Sequence, residues 1–274
     1  MATVIILSIL IFLILIYILI QNFKITNKVP AKQFEDIVIA HRGYRALYPE
    51  NTLEAMEQAH LAGADGVEFD LRLSKDYIPV VIHDRKVERT TNGGGKVHEL
   101  TYDEIKKFKA RFKKKLYNFK IPTLYDAITL IKLHKLKANI EIKHSKNSKI
   151  LVKSVADAIR KYNLYSQVYV SSYNFFYLYR LRKIDPNIIT ALNIDHEIKG
   201  NKLIAKVYRF LFMDFLINFL NVSILGPSYI MVNKKFIEKY KKKDIILIPY
   251  TVNTIKFKKF LKKNGISYIT DRVE

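Results

Sequence analysis

Apolar and polar positions along the chain follow two spacings, and these predict the secondary structure. Short β-branched runs at residues 37–40 and 67–70 are typical of buried parallel strands. Residues 52–61 place apolar side chains at helical spacing instead, with Gly63 as the stop signal. Further candidate strands lie at residues 80–82, 140–142, 168–170, 188–192, 229–232, 245–251 and 266–270. Because helical segments fall between most of these strands, we expect a parallel α/β sheet that is covered on both faces.

One connection is too short to contain a helix. Only 12 residues separate Asp70 from His83, so residues 71–78 must return in extended form if both side chains are to lie at the same end of the sheet. Residues 85–121 then exceed an ordinary loop, and they contain a glycine turn and a helix-capping signal, Thr101 with Glu104. If the sheet closes into a barrel, this segment is a small insertion over its mouth.

The first residues carry a different pattern, an apolar run over residues 4–20 that only Ser8 and Tyr17 interrupt. As a helix this run spans roughly 25 Å, close to the lower limit for crossing a bilayer. No basic residue precedes it and no small-residue cleavage site follows it, so we expect an uncleaved membrane anchor rather than a signal peptide. The predicted organisation is a transmembrane helix at 1–22, a tether at 23–36 and a catalytic domain at 37–274. Lysines after the run place that domain on the cytoplasmic side by the positive-inside rule.

Composition narrows the chemistry. After the apolar segment about 240 residues remain, enough for one (β/α) barrel or two smaller domains. The chain has no cysteine, which excludes disulfides, thiolate zinc sites and a cysteine nucleophile. The net charge of +22 predicts attraction to anionic lipid head groups or to phosphorylated substrates, although a general bias toward lysine also accounts for it. No recognised nucleic-acid-binding motif interleaves the lysines, so nucleic acid is not an expected partner.

Two histidines each follow a β-branched run and precede a charged residue. His41 is followed by Arg42, and His83 is followed by Asp84. A lone histidine is usually a core or surface residue, but a pair at strand ends is typical of a catalytic site, since barrel enzymes carry their active groups there. Because imidazole titrates near neutral pH, we predict that His41 and His83 perform acid/base catalysis.

Three carboxylates lie in other strand-like segments. Glu68 and Asp70 are two residues apart and therefore project from one face of a strand, and Glu141 lies in a later strand. Buried carboxylates repel one another and lose solvation unless a cation compensates, so we predict a metal held by these three residues. An ion pair with Arg72 or Lys143 is the alternative. Oxygen ligands favour Mg²⁺ or Ca²⁺.

Arg42 and Lys143 are the candidate phosphate ligands. A guanidinium fork suits phosphate oxygens, and Lys143 shares a strand face with Glu141. Either side chain can instead serve as an ordinary salt-bridge partner.

The motifs that carry a family resemblance occur in a set order along the chain. They are His41-Arg42-Gly43, Pro49-Glu50-Asn51-Thr52, Glu68-Phe69-Asp70, Ser74-Lys75-Asp76, residues 79–84, Ile121-Pro122-Thr123-Leu124, Glu141-Ile142-Lys143, Ser171-Ser172, Thr251-Val252-Asn253 and Ile269-Thr270-Asp271. Each motif alone is weak, but as a set they resemble the glycerophosphodiester phosphodiesterase family over residues 37–271. The resemblance implies a TIM (β/α)8 barrel of the phospholipase-C-like phosphodiesterase type, with a small insertion after the third strand.

The resemblance also implies a reaction. It is the hydrolysis of glycerophosphodiesters to glycerol 3-phosphate and an alcohol, with Ca²⁺ or Mg²⁺ on the three carboxylates. The two histidines would be the general acid and base, with Arg42 and Lys143 on the phosphate. Tyr250 stands where the family commonly has Trp, so it would give the glycerol carbons a smaller aromatic wall. The nucleophile is either water or the substrate's own glycerol hydroxyl, which would give a cyclic phosphate first.

Two alternative functions stay open at this point. Residues 209–221 form a Phe-rich helix that either packs in the core or lies in a membrane interface. Together with the anchor it would present the barrel mouth to lysophospholipids, which gives a lysophospholipase-D-type activity. A catalytically silent barrel that binds lipid head groups is the other alternative.

Overall fold

Strands and helices alternate along most of the chain. The computed structural model describes residues 14–15, 17–18, 20–196 and 213–274. Strands lie at Val38–His41 (β1), Gly66–Leu73 (β2), Pro79–Val81 (β3), Arg111–Phe112 (β4), Lys115–Leu116 (β5), Lys137–Ile142 (β6), Val168–Ser172 (β7), Ile189–Ile194 (β8), Ile224–Pro227 (β9), Ile246–Leu247 (β10) and Tyr268–Thr270 (β11). Helices lie at Leu53–Leu61 (α1), Tyr102–Ile105 (α2), Leu124–His134 (α3), Ser148–Tyr162 (α4), Phe175–Ile184 (α5), Met213–Leu220 (α6), Lys234–Lys241 (α7) and Ile255–Lys263 (α8).

Eight parallel strands form a barrel that is nearly closed. They follow the order β10-β9-β8-β7-β6-β2-β1-β11. The two ends of this order meet where Val252 N donates to Ile269 O at 2.8 Å and Ile269 N donates to Pro249 O at 2.9 Å. The predicted TIM-type barrel is therefore confirmed. Its strand ends place the side chains of eight neighbouring segments around one mouth.

The short connection after β2 lacks a helix, as expected, but residues 71–78 do not form the predicted extended return, because β2 itself continues to Leu73. Strand β3 pairs antiparallel with the end of β2, with Leu71 opposite Val81 and Leu73 opposite Pro79. This return brings the chain back to the end of the barrel where β2 finishes, so His83 follows at the mouth. A hairpin formed by the end of β2, a turn at residues 74–78 and β3 is thus the structural reason that two polar motifs so close in sequence reach the same rim.

The segment between β3 and α3 contains regular structure of its own. Helix α2 begins at Thr101, whose hydroxyl accepts from the Glu104 backbone N–H while the Glu104 carboxylate accepts from the Thr101 N–H. Strands β4 and β5 form a small antiparallel pair. Sequence analysis did not predict these strands because a two-residue strand has no detectable alternation.

One predicted strand is wrong. Residues 229–232 do not form a strand, and Tyr229–Met231 is a 3₁₀ turn. The strand at this position of the barrel is β9, which ends in Gly226 and Pro227. Because glycine and proline are typical of turns, the sequence pattern predicted no strand at this position.

The residues before β1 pack against the barrel and do not hang free. Phe34 is fully buried and meets the Tyr169 ring edge-on, with 5.0 Å between the ring centres. Ile25 N donates to Phe219 O at 2.9 Å, and Arg182 Nη2 donates to Asn27 O at 2.6 Å. The predicted tether at 23–36 therefore contributes apolar surface to the core at the end of the barrel opposite the mouth.

The predicted single-pass anchor and its membrane localisation are corrected. Among the described residues, no helix is long and apolar enough to cross a membrane. Most of the apolar run at residues 4–20 lies outside the described residues. One of the lysines used to orient it, Lys28, has a partner in the barrel, with its Nζ 3.2 Å from Asp244 Oδ2.

The described part of the Phe-rich segment packs on the barrel. Leu216, Ile217 and Leu220 of α6 are buried in a core cluster. The Phe219 ring stacks on Tyr179 with 5.8 Å between centres. Residues 209–212 of the predicted helix lie outside the described residues. Core packing accounts for the buried residues of this segment, while Phe215 is 39% exposed and stacks on Phe219.

The turn after β1 depends on a glycine. Gly43 has φ +74°, and a Cβ there would lie 2.6 Å from the backbone carbon of Ala55. Gly63 also has a positive φ, +85°, but a Cβ there would meet nothing within 4 Å.

We expect Gly43→Ala to lower the free energy of unfolding by about 3 kcal/mol or more, and Gly63→Ala by only about 1 kcal/mol. Urea unfolding measures both, and equal losses would contradict the close approach of this turn to α1.

Candidate active site

The polar motifs meet at the ends of three neighbouring strands. His41 of β1 lies opposite Glu68 of β2 in the parallel register, and Asp70 of β2 lies opposite Glu141 of β6. Glu68, Asp70 and Glu141 are buried, with 2%, 1% and 9% of their surface exposed. The alternating strand pattern explains this, since alternate residues of β2 share one face. The sequence-predicted carboxylates therefore share the barrel interior.

The three carboxylates fit a metal ion. Ligand oxygens of Glu68, Asp70 and Glu141 all lie within 4.8 Å of one another. Within the same group, Glu68 Oε1 is buried and has no hydrogen-bond partner among the described residues. Oxygen donors in a buried, partly unsatisfied group are what Ca²⁺ and Mg²⁺ require. A divalent cation at this position would satisfy the orphaned oxygen and offset the negative charge.

Burial and mutual repulsion act on the protonation of these groups. Burial raises the pKa of Glu68 well above its usual range, and the negative charges of Asp70 and Glu141 raise it further. Burial also raises the pKa of Glu141, although Lys143 opposes it. For Asp70 burial again acts upward, but Lys143 and Arg42 outweigh it and hold the pKa below its usual value. The site therefore combines one carboxylate of lowered pKa with two of raised pKa, and a further cation nearby would lower the pKa values of these two.

Arg42 and Lys143 border the carboxylates. Lys143 Nζ lies 3.0 Å from Asp70 Oδ1 and 2.5 Å from Glu141 Oε1. Arg42 Nε lies 3.2 Å from Asp70 Oδ2, and the Arg42 backbone N–H donates to Glu68 Oε2 at 2.9 Å. Both cations therefore form the salt bridges that were the alternative to phosphate binding. Both cations nevertheless lie at the rim where a phosphate would approach.

His41 is held by a carboxylate from the last strand. Its Nδ1 lies 2.6 Å from Asp271 Oδ1, and its Nε2 lies 3.9 Å from Glu68 Oε2. Burial lowers the pKa of His41, and the hydrogen bond with Asp271 opposes that effect. Asp271 also accepts from Asn253 Nδ2 at 2.8 Å. The Asp271 carboxylate therefore favours a proton on Nδ1, which leaves Nε2 of the neutral ring as the reactive nitrogen.

His83 has an analogous arrangement with its own neighbour. Its Nδ1 lies 2.7 Å from Asp84 Oδ1. Burial lowers the pKa of His83, while the charge of Asp70 opposes it. The pKa of Asp84 is about 2, because hydrogen bonds from Arg89 and His83 outweigh its burial. Each histidine thus has an ionised partner on Nδ1.

Glu50 links the surrounding arginines, and Asn51 orients a metal-site carboxylate. Arg42 Nη1 and Arg89 Nη2 each lie 2.7 Å from Glu50 Oε1. Asn51 donates through Nδ2 to Asp70 Oδ2 at 2.9 Å and accepts from the Asp70 N–H at 3.2 Å. The Glu50 pKa is about 2, since these arginines outweigh the effect of burial. The Pro49-Glu50-Asn51-Thr52 motif therefore braces the site.

Tyr250 lies at the end of the barrel beside another tyrosine. Its hydroxyl donates to Ile194 O at 2.9 Å and accepts from the Tyr173 hydroxyl at 2.5 Å. The two rings meet edge-on with 6.1 Å between centres. The predicted aromatic wall is thus a pair of rings, and the second member carried no sequence signal of its own.

Four supporting residues were not assigned a role from the sequence. They are Asp84, Asp271, Arg89 and Arg45. Asp84 directly follows His83, and Asp271 directly follows the last strand, so their positions carried a usable signal. Arg89 and Arg45 lie in irregular segments where spacing gives none.

Comparisons with known proteins agree on one family. Residues 41–274 match the model of the "Glycerophosphoryl diester phosphodiesterase family". A glycerophosphodiester phosphodiesterase from Caldanaerobacter subterraneus subsp. tengcongensis is 35% identical over 245 residues, which cover 87% of this chain and 95% of that protein. Glycerophosphodiester phosphodiesterase 1 from Bos taurus is 34% identical over 256 residues, which cover 85% and 77%.

A solved structure supports the fold. The structure of an Oleispira antarctica phosphodiesterase in complex with the product sn-glycerol-3-phosphate superposes with a TM-score of 0.72. The two chains are 23% identical, and the match covers 89% of this chain and 96% of the other.

Replacement of one carboxylate separates metal binding from folding. In the parent protein, Ca²⁺ or Mg²⁺ at 100 times its Kd should stabilise the fold by about 2.7 kcal/mol, seen as a rise in Tm. We expect Glu68→Gln to lose this rise, while its metal-free Tm is no lower than that of the parent because burial and the neighbouring carboxylates disfavour a negative charge at this position. Glu99→Gln, on the surface beside Lys96, is the matched control and should keep the rise. A metal-dependent rise that survives Glu68→Gln would exclude this site.

Proposed function

The chain belongs to the glycerophosphoryl diester phosphodiesterase family and is a glycerophosphodiester phosphodiesterase, and we propose that it uses a divalent metal and two histidines to release glycerol 3-phosphate and an alcohol. One observation carries the proposal: two histidines, each with a carboxylate on Nδ1, flank three buried carboxylates at one barrel mouth. Ca²⁺ and Mg²⁺ are the proposed metals, because the ligands are all oxygen.

The carboxylate group has a binding role in this proposal. Glu68, Asp70 and Glu141 would hold the cation, which supplies positive charge to polarise the phosphoryl oxygens. Arg42 and Lys143 supply further positive charge at the rim and would contact the remaining phosphate oxygens. The net charge of +22 supports the approach of an anionic diester.

The two histidines divide the proton transfers. One, as a neutral ring, accepts the proton of the attacking hydroxyl at Nε2, and the other donates a proton to the leaving alkoxide. Asp271 and Asp84 fix the ring orientations through Nδ1, so each Nε2 is available to the substrate. Tyr250 is the proposed wall against the glycerol carbons.

We also propose that residues 37–274 form the catalytic domain, with 85–121 as an insertion at its mouth. Arg89 of this segment reaches both Glu50 and Asp84, which supports the assignment. The lysophospholipase-D-type alternative depended on the membrane anchor and on an interfacial Phe-rich helix. Since the described part of that helix packs in the core, no observation favours this alternative.

A substrate panel tests the proposed reaction. With Ca²⁺ or Mg²⁺ present, we expect turnover of glycerophosphocholine or glycerophosphoethanolamine with release of glycerol 3-phosphate. Lysophosphatidylcholine should be a poorer substrate by kcat/KM. Release of glycerol 3-phosphate that continues unchanged in excess chelator, or a preference for the lysophospholipid, would contradict the proposal.

Histidine replacement tests the acid/base roles. His41→Ala and His83→Ala should each lower kcat by about 10²-fold or more, because a proton transfer loses its catalyst. The matched control is His60→Ala in α1, whose ring packs against His134 and not against the site. It should keep parent turnover. If either active-site variant retains parent kcat while remaining folded, its histidine is not catalytic.

The pH profile tests the role of Asp271. Its charge and hydrogen bond raise the pKa of His41, so Asp271→Asn should lower that pKa. One limb of the kcat/KM profile should then move to lower pH. It would be the acidic limb if His41 is the base, which is active when neutral, and the alkaline limb if it is the acid. Unmoved limbs would show that Asp271 does not act on the titration of His41.

A further inference from the structure

A cleft leads away from the catalytic carboxylates along one side of the mouth. It has a volume of about 520 Å³, with Glu141 and Lys143 at its inner end. A smaller cavity of about 110 Å³ shares Arg72, Arg85 and His144 with it. Apart from Glu141 at the inner end, no described residue that lines either cavity is acidic. The outer part of this continuous cleft is therefore cationic.

Arg72 is held rigidly in the wall of the cleft. It lies on β2 two residues beyond Asp70, and its Nε donates to His83 O at 2.7 Å. Its Nη1 donates to His144 O at 3.1 Å. These bonds go to neutral carbonyl oxygens, and Nη2 makes no hydrogen bond with any residue in the described ranges. A guanidinium fixed in this way keeps its full charge and a free donor for a ligand.

Arg85 adds a second guanidinium without an ion-pair partner. Its backbone is fixed because Val97 N donates to Arg85 O at 2.9 Å. Its side chain is exposed and forms no ion pair within the part of the chain that the structure describes. By contrast Arg89, four residues later, binds both Asp84 and Glu50. The carboxylates of Asp84 and Glu50 therefore pair with Arg89 and not with Arg85.

The opposite wall of the cleft is aromatic. Tyr173, Phe175 and Phe176 line it, and the two phenylalanine rings lie 4.0 Å apart. Phe176 is 60% exposed, so its ring is accessible to a ligand in the cleft. An aromatic wall facing two guanidiniums suits a molecule with a carbon skeleton and a negative group.

The two halves of a diester must leave the phosphate in different directions. Tyr250, the proposed contact for glycerol, follows β10 and does not line the cleft, which begins at its neighbour Tyr173 and lies over the ends of β2, β6 and β7. The cleft also adjoins His83 through Arg72. The alcohol half is therefore the half that enters the cleft.

We propose that this cleft binds the alcohol half of the diester and selects alcohols that carry a second anionic group, a phosphate or a carboxylate. This inference rests on the proposed function and names its substrate class. Charge-assisted hydrogen bonds to a guanidinium are strong enough to give about a tenfold preference.

Two matched substrate pairs test the preference. Glycerophosphoserine differs from glycerophosphoethanolamine by one carboxylate, and glycerophosphoinositol 4-phosphate differs from glycerophosphoinositol by one phosphate. We expect kcat/KM to be about tenfold higher for the anionic member of at least one pair. The pair that responds identifies the anion as carboxylate or phosphate. Arg85→Gln should reduce the ratio to about twofold or less.

Controls separate the cleft from the overall charge of the protein. Arg111→Gln removes the same charge from a residue of β4 that does not line the cleft, and it should leave the ratio unchanged. Ratios near one in both pairs, or an equal loss in Arg85→Gln and Arg111→Gln, would overturn the inference while the reaction itself stands. If none of the four diesters is turned over, the proposed function is wrong and this inference is wrong with it.

Discussion

Three carboxylates buried within 4.8 Å of one another form the arrangement on which the rest of this structure depends. Negative charges so close together in a barrel interior are costly unless cations compensate. The protein supplies Lys143 and Arg42 for this purpose, yet Glu68 Oε1 still has no partner among the described residues. A divalent cation would complete the compensation, and the same charge that satisfied the carboxylates would serve a phosphodiester.

The surroundings of the carboxylates follow from that requirement. Arginines near the mouth would interact with any free carboxylate, so their own acidic partners hold them in place. A belt of alternating charges connects the two histidines in the order His41, Asp271, Arg45, Glu50, Arg89, Asp84 and His83. Because both histidines end this belt, each ring is oriented by an ionised carboxylate. Arg85 stands outside the belt, which is why it is available to a substrate.

The sequence predicted the parallel strands and the grouping of the three carboxylates because both have local signals, whereas the closed barrel was implied by the family resemblance. Runs of β-branched residues mark buried strands, and Glu68 with Asp70 marks a shared face. The belt was harder to predict, since Arg45 and Arg89 lie in segments whose contacts only the tertiary fold determines. The anchor was wrong because apolar composition alone does not distinguish a span near the lower length limit from other apolar segments. Strand β9 was missed because it ends in glycine and proline.

Calorimetric titration with Ca²⁺ or Mg²⁺ tests the central claim most directly. Glu68 and Glu141 have raised pKa values, so binding of a cation should expel protons as the carboxylates ionise. Titrations near pH 6 in buffers with different ionisation enthalpies should show one metal ion per chain and a net release of protons. Absence of binding, or binding with no proton release, would contradict the account of a cation-dependent carboxylate site.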